Sequence, residues 1–315
     1  MNIALVGTGY IAGRHAAVLA ADKRIHIVGH VDTTIAGATA ASKTWGGNGY
    51  DSVEALLANE QVDAAWICVP PFAHGNIEHA FIGRGIPLYI EKPVSADLQT
   101  AEKIHMAVQA SNTLVAVGYY WRCLEVMPRL QQLLMETPPR LIRAAWHGST
   151  PPASWWQRQS QSGGQVVEQA THLVDLLGFL FGPATVLSSV AGHTARQEFP
   201  GLDVATVSTA TLQFAANVPA VLTATCLLDT TTNAEVEFYC EGRKITLDRQ
   251  TLSVTTSEGT DSQPVGEDPL ALADRKFISA VQSGDAAELP CSYADALETQ
   301  KLCIAISDAA QKESK

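Results

Sequence analysis

Two groups of ionisable side chains in this sequence could transfer protons. The first is Lys92, which lies between an apolar segment, Pro87–Ile90, and Pro93. Because the following proline restricts its backbone, we expect this lysine to be held at the end of a strand with its amine facing the sheet edge. A partly desolvated lysine beside a positive charge has a lowered pKa and can exchange protons. The alternative is an ordinary surface lysine with a snorkelling side chain.

The second group is a string of two carboxylates and a histidine. Glu168, His172 and Asp175 are spaced i, i+4 and i+7, so they share one face of a predicted helix. A neutral imidazole with a carboxylate one turn away can act as a general base. The alternative is a Glu–His pair that only stabilises the helix. A metal site that also uses His147 is conceivable, but no spacing supports it, and we predict no metal.

A glycine-rich opening segment, Asn2–Gly13, is predicted to bind a dinucleotide. Four apolar residues run into Gly7, and Gly7, Gly9 and Ala12 then form the pattern G-x-G-x-x-A. A pyrophosphate needs one glycine for a tight turn, one for close backbone approach and a small residue where the helix packs on the strand. Its charge then meets the free N–H groups of a helix N-terminus. Such turns also occur without a ligand.

Asp32 supplies the context that the glycine pattern needs. It closes the next predicted strand, His26–Val31, about 20 residues further on, where a carboxylate accepts hydrogen bonds from ribose hydroxyls. A carboxylate at this position repels a 2′-phosphate. Thr33 and Thr34 follow, and no arginine stands beside them to receive that phosphate. We therefore predict NAD rather than NADP.

The first 120 residues alternate between short apolar strands and helices. This alternation predicts a doubly wound parallel sheet, an α/β Rossmann fold, in which all strand ends lie along one edge. Asp32, Pro70, Lys92 and Tyr119 each follow a predicted strand. We expect them to meet at this ligand-binding edge.

The pattern changes near Trp121, so we place a domain boundary there, with residues 1–122 as the nucleotide-binding domain. Residues 123–315 are predicted to form an α+β domain for substrate binding and oligomerisation. A long helix is predicted at Gly163–Leu180, strands with hairpin turns at Thr185–Thr256, and two closing helices thereafter. Few helices are available to cover a sheet of this length, so we expect a large, mainly antiparallel sheet with one open face.

Composition excludes several classes of protein. A hydrophobic content of 46% argues against a disordered chain, and no apolar run approaches a membrane span. The net charge of −11 argues against a nucleic-acid partner. The six cysteines are scattered without a C-x-x-C pair, which favours reduced thiols. No signal-like segment is found near Met1, and we expect a cytoplasmic protein without a membrane partner.

Taken in order, the motifs resemble those of the glucose–fructose oxidoreductase, inositol dehydrogenase and rhizopine-catabolism (Gfo/Idh/MocA) family. The resemblance spans the chain and rests on five motifs: G-x-G-x-x-A-x-x-H (Gly7 to His15), V-P-P-x-x-H (Val69 to His74), E-K-P (Glu91 to Pro93), V-G-Y-x-x-R (Val117 to Arg122) and G-G-x-x-x-E-x-x-x-H-x-x-D (Gly163 to Asp175).

The resemblance implies a Rossmann domain followed by an open-sheet domain, and oxidation or reduction of sugar-like carbons with NAD or NADP. It makes Lys92 the active-site lysine, His172 the acid/base and Glu168 its carboxylate partner, where many members have Asp. Phe72 stands where many members carry Asn, so one polar contact to the cofactor is not expected. The motif positions assigned to the cofactor are Gly7, Gly9, Tyr10, Ile11, Ala12, Asp32, Val69, Pro70, His74, Glu91, Lys92 and Arg122.

The expected reaction is hydride transfer between nicotinamide and a hydroxyl or carbonyl carbon of a sugar, a polyol such as inositol, or a sugar derivative. His172 would take the hydroxyl proton while Lys92 stabilises charge on the same oxygen. The other candidate substrate contacts are Tyr119, Asp175, Trp155 and Trp156. Asp175 could instead support its helix, and the two tryptophans could equally be core or interface aromatics.

Two rival functions remain open at this point. One is a biliverdin- or dihydrodipicolinate-type reductase, against which Lys92 and His172 together argue. The other is a non-catalytic NAD-sensing or NAD-binding protein, which would need neither residue. For assembly, we predict a homodimer or homotetramer formed through the open sheet, because an exposed sheet of weak polarity is rarely left uncovered.

Overall fold

The computed structural model describes residues 1–313, and the chain forms two compact units. The first unit comprises Met1–Cys123 and a returning segment, Asp268–Leu297. The second comprises Leu124–Glu267 and the chain from Glu298 onward. Within the described residues, no helix is both long and apolar enough to cross a membrane.

The first unit contains a six-stranded parallel sheet. The strands pair in the order β3-β2-β1-β4-β5-β6, which confirms the predicted Rossmann fold. The short strand β3 forms at the end of a glycine-rich stretch, Gly46–Gly49. The strands are β1 (Asn2–Val6), β2 (His26–Val31), β3 (Asn48–Tyr50), β4 (Ala64–Ile67), β5 (Leu88–Ile90) and β6 (Val115–Val117).

Five helices connect these strands, and three of them begin at a side-chain cap. Thr34, Ser52 and Asp97 each accept a hydrogen bond from the backbone N–H three residues further on. The helices are α1 (Tyr10–Ala21), α2 (Ile35–Trp45), α3 (Val53–Asn59), α4 (Asn76–Ile82) and α5 (Leu98–Ser111). The central strands are buried on both faces, as their near-continuous apolar sequences predict.

The returning segment completes the first unit. Phe277 packs edge-on against Trp66 and Tyr89, with ring centroids 5.1 and 5.7 Å away. The prediction that this segment belongs to the second domain, residues 123–315, is wrong, because a helix pattern alone does not tell which sheet the helix packs on. Its aromatic contacts assign it to the first unit.

The second unit contains an eight-stranded sheet in the order β14-β13-β12-β11-β7-β10-β9-β8. Only the β7–β10 pair is parallel, so the sheet is mainly antiparallel, as predicted. Its strands are β7 (Leu141–His147), β8 (Ala184–Gly192), β9 (Val207–Phe214), β10 (Val218–Thr225), β11 (Asn233–Cys240), β12 (Arg243–Asp248), β13 (Thr251–Thr256) and β14 (Gly259–Pro264). The remaining helices of the chain are α6 (Met127–Glu136), α7 (Gln159–Ser162), α8 (Thr171–Phe181), α9 (Pro269–Ser283) and α10 (Tyr293–Glu313).

One face of this sheet is more exposed than the other. Along β10, Ala220, Leu222 and Ala224 are buried, whereas Val221, Thr223 and Thr225 are partly exposed. The open face is more polar than the sequence suggested. Glu237 accepts hydrogen bonds there from Arg143 and Lys244 of the neighbouring strands.

The long helix predicted at Gly163–Leu180 begins later than predicted, in a π-helical turn, and runs without a break to Phe181. Gly163 and Gly164 have φ values of +76° and +87°, which side chains rarely adopt, so the helical path ends at Ser162. The chain re-enters a helix through a π-helical turn at Val166–Ala170, and α8 follows directly. Glu168 therefore lies in the wide turn and His172 in the regular helix.

Candidate functional site

The glycine turn of the first unit is open where a phosphate would approach. A Cβ on Gly7 would collide with the Cys68 carbonyl group, so no larger residue fits there. A Cβ on Gly9 would meet no atom within 4 Å. Gly9 is also the N-cap of α1 and provides no side-chain cap, so the first N–H groups of the helix are free to bind an anion.

Asp32 is held in place at the end of β2. Thr8 donates a hydrogen bond to its Oδ2 atom over 2.6 Å, and Thr34 donates its backbone N–H to Oδ1 over 3.0 Å. Burial raises the pKa of this carboxyl, but the hydrogen bonds from Thr8 and Thr34 outweigh burial and lower it. The carboxylate is therefore ionised and oriented before any ribose reaches it.

Lys92 follows β5 at the same edge of the sheet and is half-buried. The side chain of its neighbour, Glu91, points into the protein. Glu91 is 4% exposed, and its Oε1 atom lies 3.1 Å from Nε2 of His15. Glu91 was predicted to contact the cofactor, and in the structure this buried contact occupies its carboxylate instead.

Several other predicted cofactor positions also have partners within the first unit. Nδ1 of His74 lies 2.6 Å from Oε1 of Glu78, and Arg122 pairs with Asp295 over 3.2 Å. Phe72, at the position of the family asparagine, is half-exposed. Tyr10 is largely exposed at the start of α1, Ala12 is buried, and Ile11, Val69 and Pro70 are partly buried.

Tyr119 was predicted to contact substrate. Its ring is buried in a core cluster of the first unit that includes Ile90 and Val117. The tyrosine therefore has a packing role in this structure. The sequence placed it correctly at the end of β6, but the direction of its side chain could not be read from the pattern.

In the second unit, Trp156 holds Glu168. The indole N–H of Trp156 donates to Oε2 of Glu168 over 2.6 Å, and the ring is 1% exposed in a cluster with Leu202 and Val204. The sequence left open whether Trp156 contacts substrate or is a core or interface aromatic, and its burial supports a core aromatic. Trp155 is partly exposed.

His172 is 4% exposed and lies flat against Trp146 of β7, with ring centroids 5.8 Å apart and planes 19° apart. Asp175, one turn further along α8, is fully buried and accepts a hydrogen bond from Thr299 over 3.0 Å. Asp175 therefore ties α8 to α10 and is not open to a substrate hydroxyl.

The partners of Glu91 could not be identified from the sequence. His15 was noted only as the last letter of the glycine motif, and Asp274 and Trp66 carried no signal at all. In the structure, Nδ1 of His15 lies 2.8 Å from Oδ1 of Asp274, and Trp66 donates its indole N–H to the same oxygen over 2.9 Å. A buried carboxylate in α9 and a histidine in α1 are 259 residues apart, so only the fold joins them.

The residues of the first unit fit a nicotinamide dinucleotide. The uncapped N-terminus of α1 and the open space at Gly9 suit the pyrophosphate, and the oriented Asp32 suits a ribose diol. Among the described residues, no cluster of His, Cys, Asp or Glu could hold a metal ion.

Comparison with known families agrees with this geometry. Residues 1–119 match a family described as "Oxidoreductase family, NAD-binding Rossmann fold", and residues 138–246 match the "GFO/IDH/MocA C-terminal domain". Together these regions cover more than half of the sequence. The chain belongs to the GFO/IDH/MocA oxidoreductase family.

Two relatives illustrate the range of similarity. The chain is 22% identical to inositol 2-dehydrogenase of Rhizobium meliloti (strain 1021), with 98% of this chain and 96% of the relative covered. It is 32% identical to a protein of Amycolatopsis mediterranei (strain S699) provisionally named as the oxidoreductase subunit of a UDP-kanosamine synthase, over 62% of this chain. This match spans about half of the relative's own length, 55%. A match to an uncharacterized oxidoreductase of Synechocystis sp. (strain ATCC 27184 / PCC 6803 / Kazusa) spans 53% of that protein.

Solved structures share the fold. The 3-ketoreductase KijD10 of Actinomadura kijaniata, in complex with NADP and TDP-benzene, superposes with a TM-score of 0.87 at 19% identity, covering 98% of this chain and 97% of that one. GenD2 from gentamicin A biosynthesis, in complex with NAD, gives 0.85 at 18% identity, covering 99% and 95%.

Proposed function

We propose that this family member catalyses NAD-dependent hydride transfer at a hydroxyl or carbonyl carbon of a sugar, a polyol or a sugar derivative. The observation that carries the proposal is the open glycine turn beside an oriented Asp32, in a chain that also has the family lysine and histidine. The substrate class is supported by the relatives, which include an inositol dehydrogenase and a glucose-6-phosphate dehydrogenase acting at carbon 3.

In the proposed mechanism, the nicotinamide supplies the hydride acceptor or donor. The imidazole of His172 accepts the proton of the substrate hydroxyl, and its stacking on Trp146 fixes the plane of the ring. The amine of Lys92 donates a hydrogen bond to the substrate oxygen and stabilises negative charge there. Glu168, held by Trp156, orients the imidazole or adjusts its charge.

The preference for NAD follows from Asp32. Both of its oxygens already accept hydrogen bonds, so the carboxylate cannot easily turn away from a 2′-phosphate. Relatives of this fold have been crystallised with NAD and with NADP, so the proposal rests on this chain's own residues. We expect weaker binding of NADPH than of NADH.

The test is a screen of NAD and NADP reduction with polyols, aldoses and sugar acids. With the best substrate, Lys92→Ala and His172→Ala should each lower kcat by about 10²-fold or more. NADH affinity should change little, because we assign the pyrophosphate to the glycine turn and the ribose to Asp32.

Matched controls separate chemistry from general damage. Lys103→Ala removes an exposed lysine of α5, and His147→Gln replaces a partly buried histidine of β7; both should keep normal kcat. Near-normal kcat in either test variant would refute the role of that residue. NADH binding without turnover of any substrate would favour a non-catalytic nucleotide-binding protein, and equal or tighter NADPH binding would refute the NAD preference.

A further inference from the structure

A group of three ionisable side chains is buried behind the lysine edge of the first unit. His15, Glu91 and Asp274 are 0%, 4% and 0% exposed. The imidazole contacts a carboxylate on each side, with Nδ1 2.8 and 2.9 Å from the two oxygens of Asp274 and Nε2 3.1 Å from Glu91. The imidazole therefore bridges α9 to the residue that precedes Lys92.

Aromatic rings surround this group. His15 lies edge-on to Tyr89 with ring centroids 5.1 Å apart, and Trp66 stacks on Tyr89 at 5.9 Å. Phe277 contacts both of those rings. In such an apolar setting a charge is strongly attracted to its partner, and a carboxylate without one is costly to bury.

These surroundings favour a protonated imidazole. Burial lowers the pKa of His15, but the charges of Asp274 and Glu91 and their hydrogen bonds outweigh burial and raise the pKa to about 9. Cys68 and Tyr89 also lie in this environment, and burial raises the pKa of each well above its ordinary value, so both are neutral. The cation thus lies between two carboxylates at neutral pH.

The position of Glu91 is fixed on every side. Its backbone N–H donates to Ile67 over 2.8 Å, which holds the chain to β4. A Cβ at Gly118 would collide with the Glu91 carboxylate, so only glycine leaves room for it. Lys92 is the next residue, so the anchoring of Glu91 also restrains the backbone from which the lysine side chain extends.

We propose that His15 is a positioning residue for Lys92, acting through Glu91, with Asp274 as the anchor of the imidazole. Without the cation, two buried carboxylates would remain close together, and Glu91 would turn toward water and displace Lys92. This role rests on the proposed function, because the position of Lys92 affects catalysis only if the lysine acts on substrate. The position itself can be measured without catalysis.

The variants for the test are His15→Gln and Asp274→Asn, with Phe81→Leu as the matched control. Phe81 is fully buried in the core cluster of the first unit that also contains Ile90 and Val117. We expect His15→Gln to lower kcat by between about tenfold and a hundredfold, as for a misplaced catalytic group, with KM and NADH affinity within about twofold. Phe81→Leu should lower thermal stability but keep kcat below its unfolding temperature.

A second measurement reads the position of Lys92 directly. Acetic anhydride labels lysine amines at rates set by their exposure and pKa, and mass spectrometry gives the rate for each peptide. We expect the labelling rate of Lys92, relative to Lys103, to change at least about threefold in His15→Gln and not in Phe81→Leu.

Two outcomes refute the positioning role: an unchanged labelling ratio in His15→Gln, or a loss of kcat that Phe81→Leu reproduces. If the wild-type protein reduces neither cofactor with any substrate but its labelling ratio still responds to His15→Gln, the proposed function fails while the positioning role stands.

Discussion

Trp156 controls where the Glu168 carboxylate can point. Its indole N–H donates to Glu168, while its ring is packed in a cluster with Leu202, Val204 and Cys226. Because the Trp156 ring is almost fully buried, its packing holds the indole in place, and the hydrogen bond in turn holds the Glu168 carboxylate. The tryptophan therefore acts on Glu168 as His15 acts on Glu91, from inside the protein.

We expect Trp156→Phe to lower kcat by about tenfold while leaving KM nearly unchanged. The phenyl ring keeps most of the packing, but the N–H is lost, and a hydrogen bond to a charged group is worth about 1.5–3 kcal/mol. Steady-state kinetics on the best substrate provides the measurement. Trp155→Phe, at the partly exposed neighbour, is the control, and equal effects of the two variants would contradict the role of Trp156.

At the scale of elements, the contact between α1 and α9 should make the stability of the protein depend on pH. The pKa of His15 is about 9 in the fold, compared with 6.5 for an ordinary histidine. Because the folded value is the higher one, binding of the proton stabilises the fold. The contribution is complete below about pH 6.5 and is lost as the pH rises through 9.

We therefore expect the thermal midpoint of the wild-type protein to fall between about pH 6.5 and pH 9.5. His15→Gln should start from a lower midpoint at pH 6.5 and fall less steeply, since it has no proton to lose there. Asp274→Ala should lower the free energy of unfolding by about 3–5 kcal/mol at neutral pH, because it leaves the buried imidazole without its main partner. Scanning fluorimetry across the pH series measures the thermal midpoints, and urea unfolding measures the free energy. Parallel curves of midpoint against pH for wild type and His15→Gln would contradict the raised pKa of His15.

The sequence predicted those elements whose signals are local. The strand–turn–helix is marked by Gly7 and Gly9, and the end of the next strand is marked by Asp32. All three residues lie within the first 32 positions of the chain. Lys92 could be placed because a strand precedes it and a proline follows. The exact start of the helix was hidden, because the sequence does not show that Gly163 and Gly164 take positive φ values and stand outside it.

Contacts between distant parts of the chain were beyond the reach of the sequence. Nothing in the pattern of α9 indicates that Asp274 meets His15 or that Phe277 meets Trp66. The direction of a side chain at a strand end was equally hidden, and Tyr119 and Glu91 both point inward. Asp175 lies on the predicted face of its helix, but that face packs against Thr299.

At the scale of the whole molecule, the open face of the second unit's sheet should form a contact between copies of the chain. Val190 and Val207 are 57% and 37% exposed near its β8 edge, on the same face as Thr223 and Thr225. Toward the other side, Glu237 is held by Arg143, Lys244 and Tyr239. A face with apolar and ion-paired regions can meet its own copy across a two-fold axis.

We expect light scattering of the wild-type protein to give a dimer or tetramer of the 33.6 kDa chain. Val190→Glu combined with Val207→Glu should shift the mass toward the monomer, because the contact would then bury negative charges of one copy against negative charges of the other. Met135→Glu, at an exposed position of α6, is the control and should leave the mass unchanged. A wild-type mass of 33.6 kDa would rule out this assembly.

The returning segment also affects how the protein is made. The first unit lacks the complete returning segment until Leu297 has been synthesised, about 170 residues after Cys123. At roughly 5–20 residues per second, the ribosome needs about 10–35 s to reach it. Over that interval the surfaces of Trp66 and Tyr89 that Phe277 later covers are open to water, and His15 lacks Asp274. Early termination within the second unit should therefore yield a less soluble fragment than the full chain, because the aromatic surface stays uncovered.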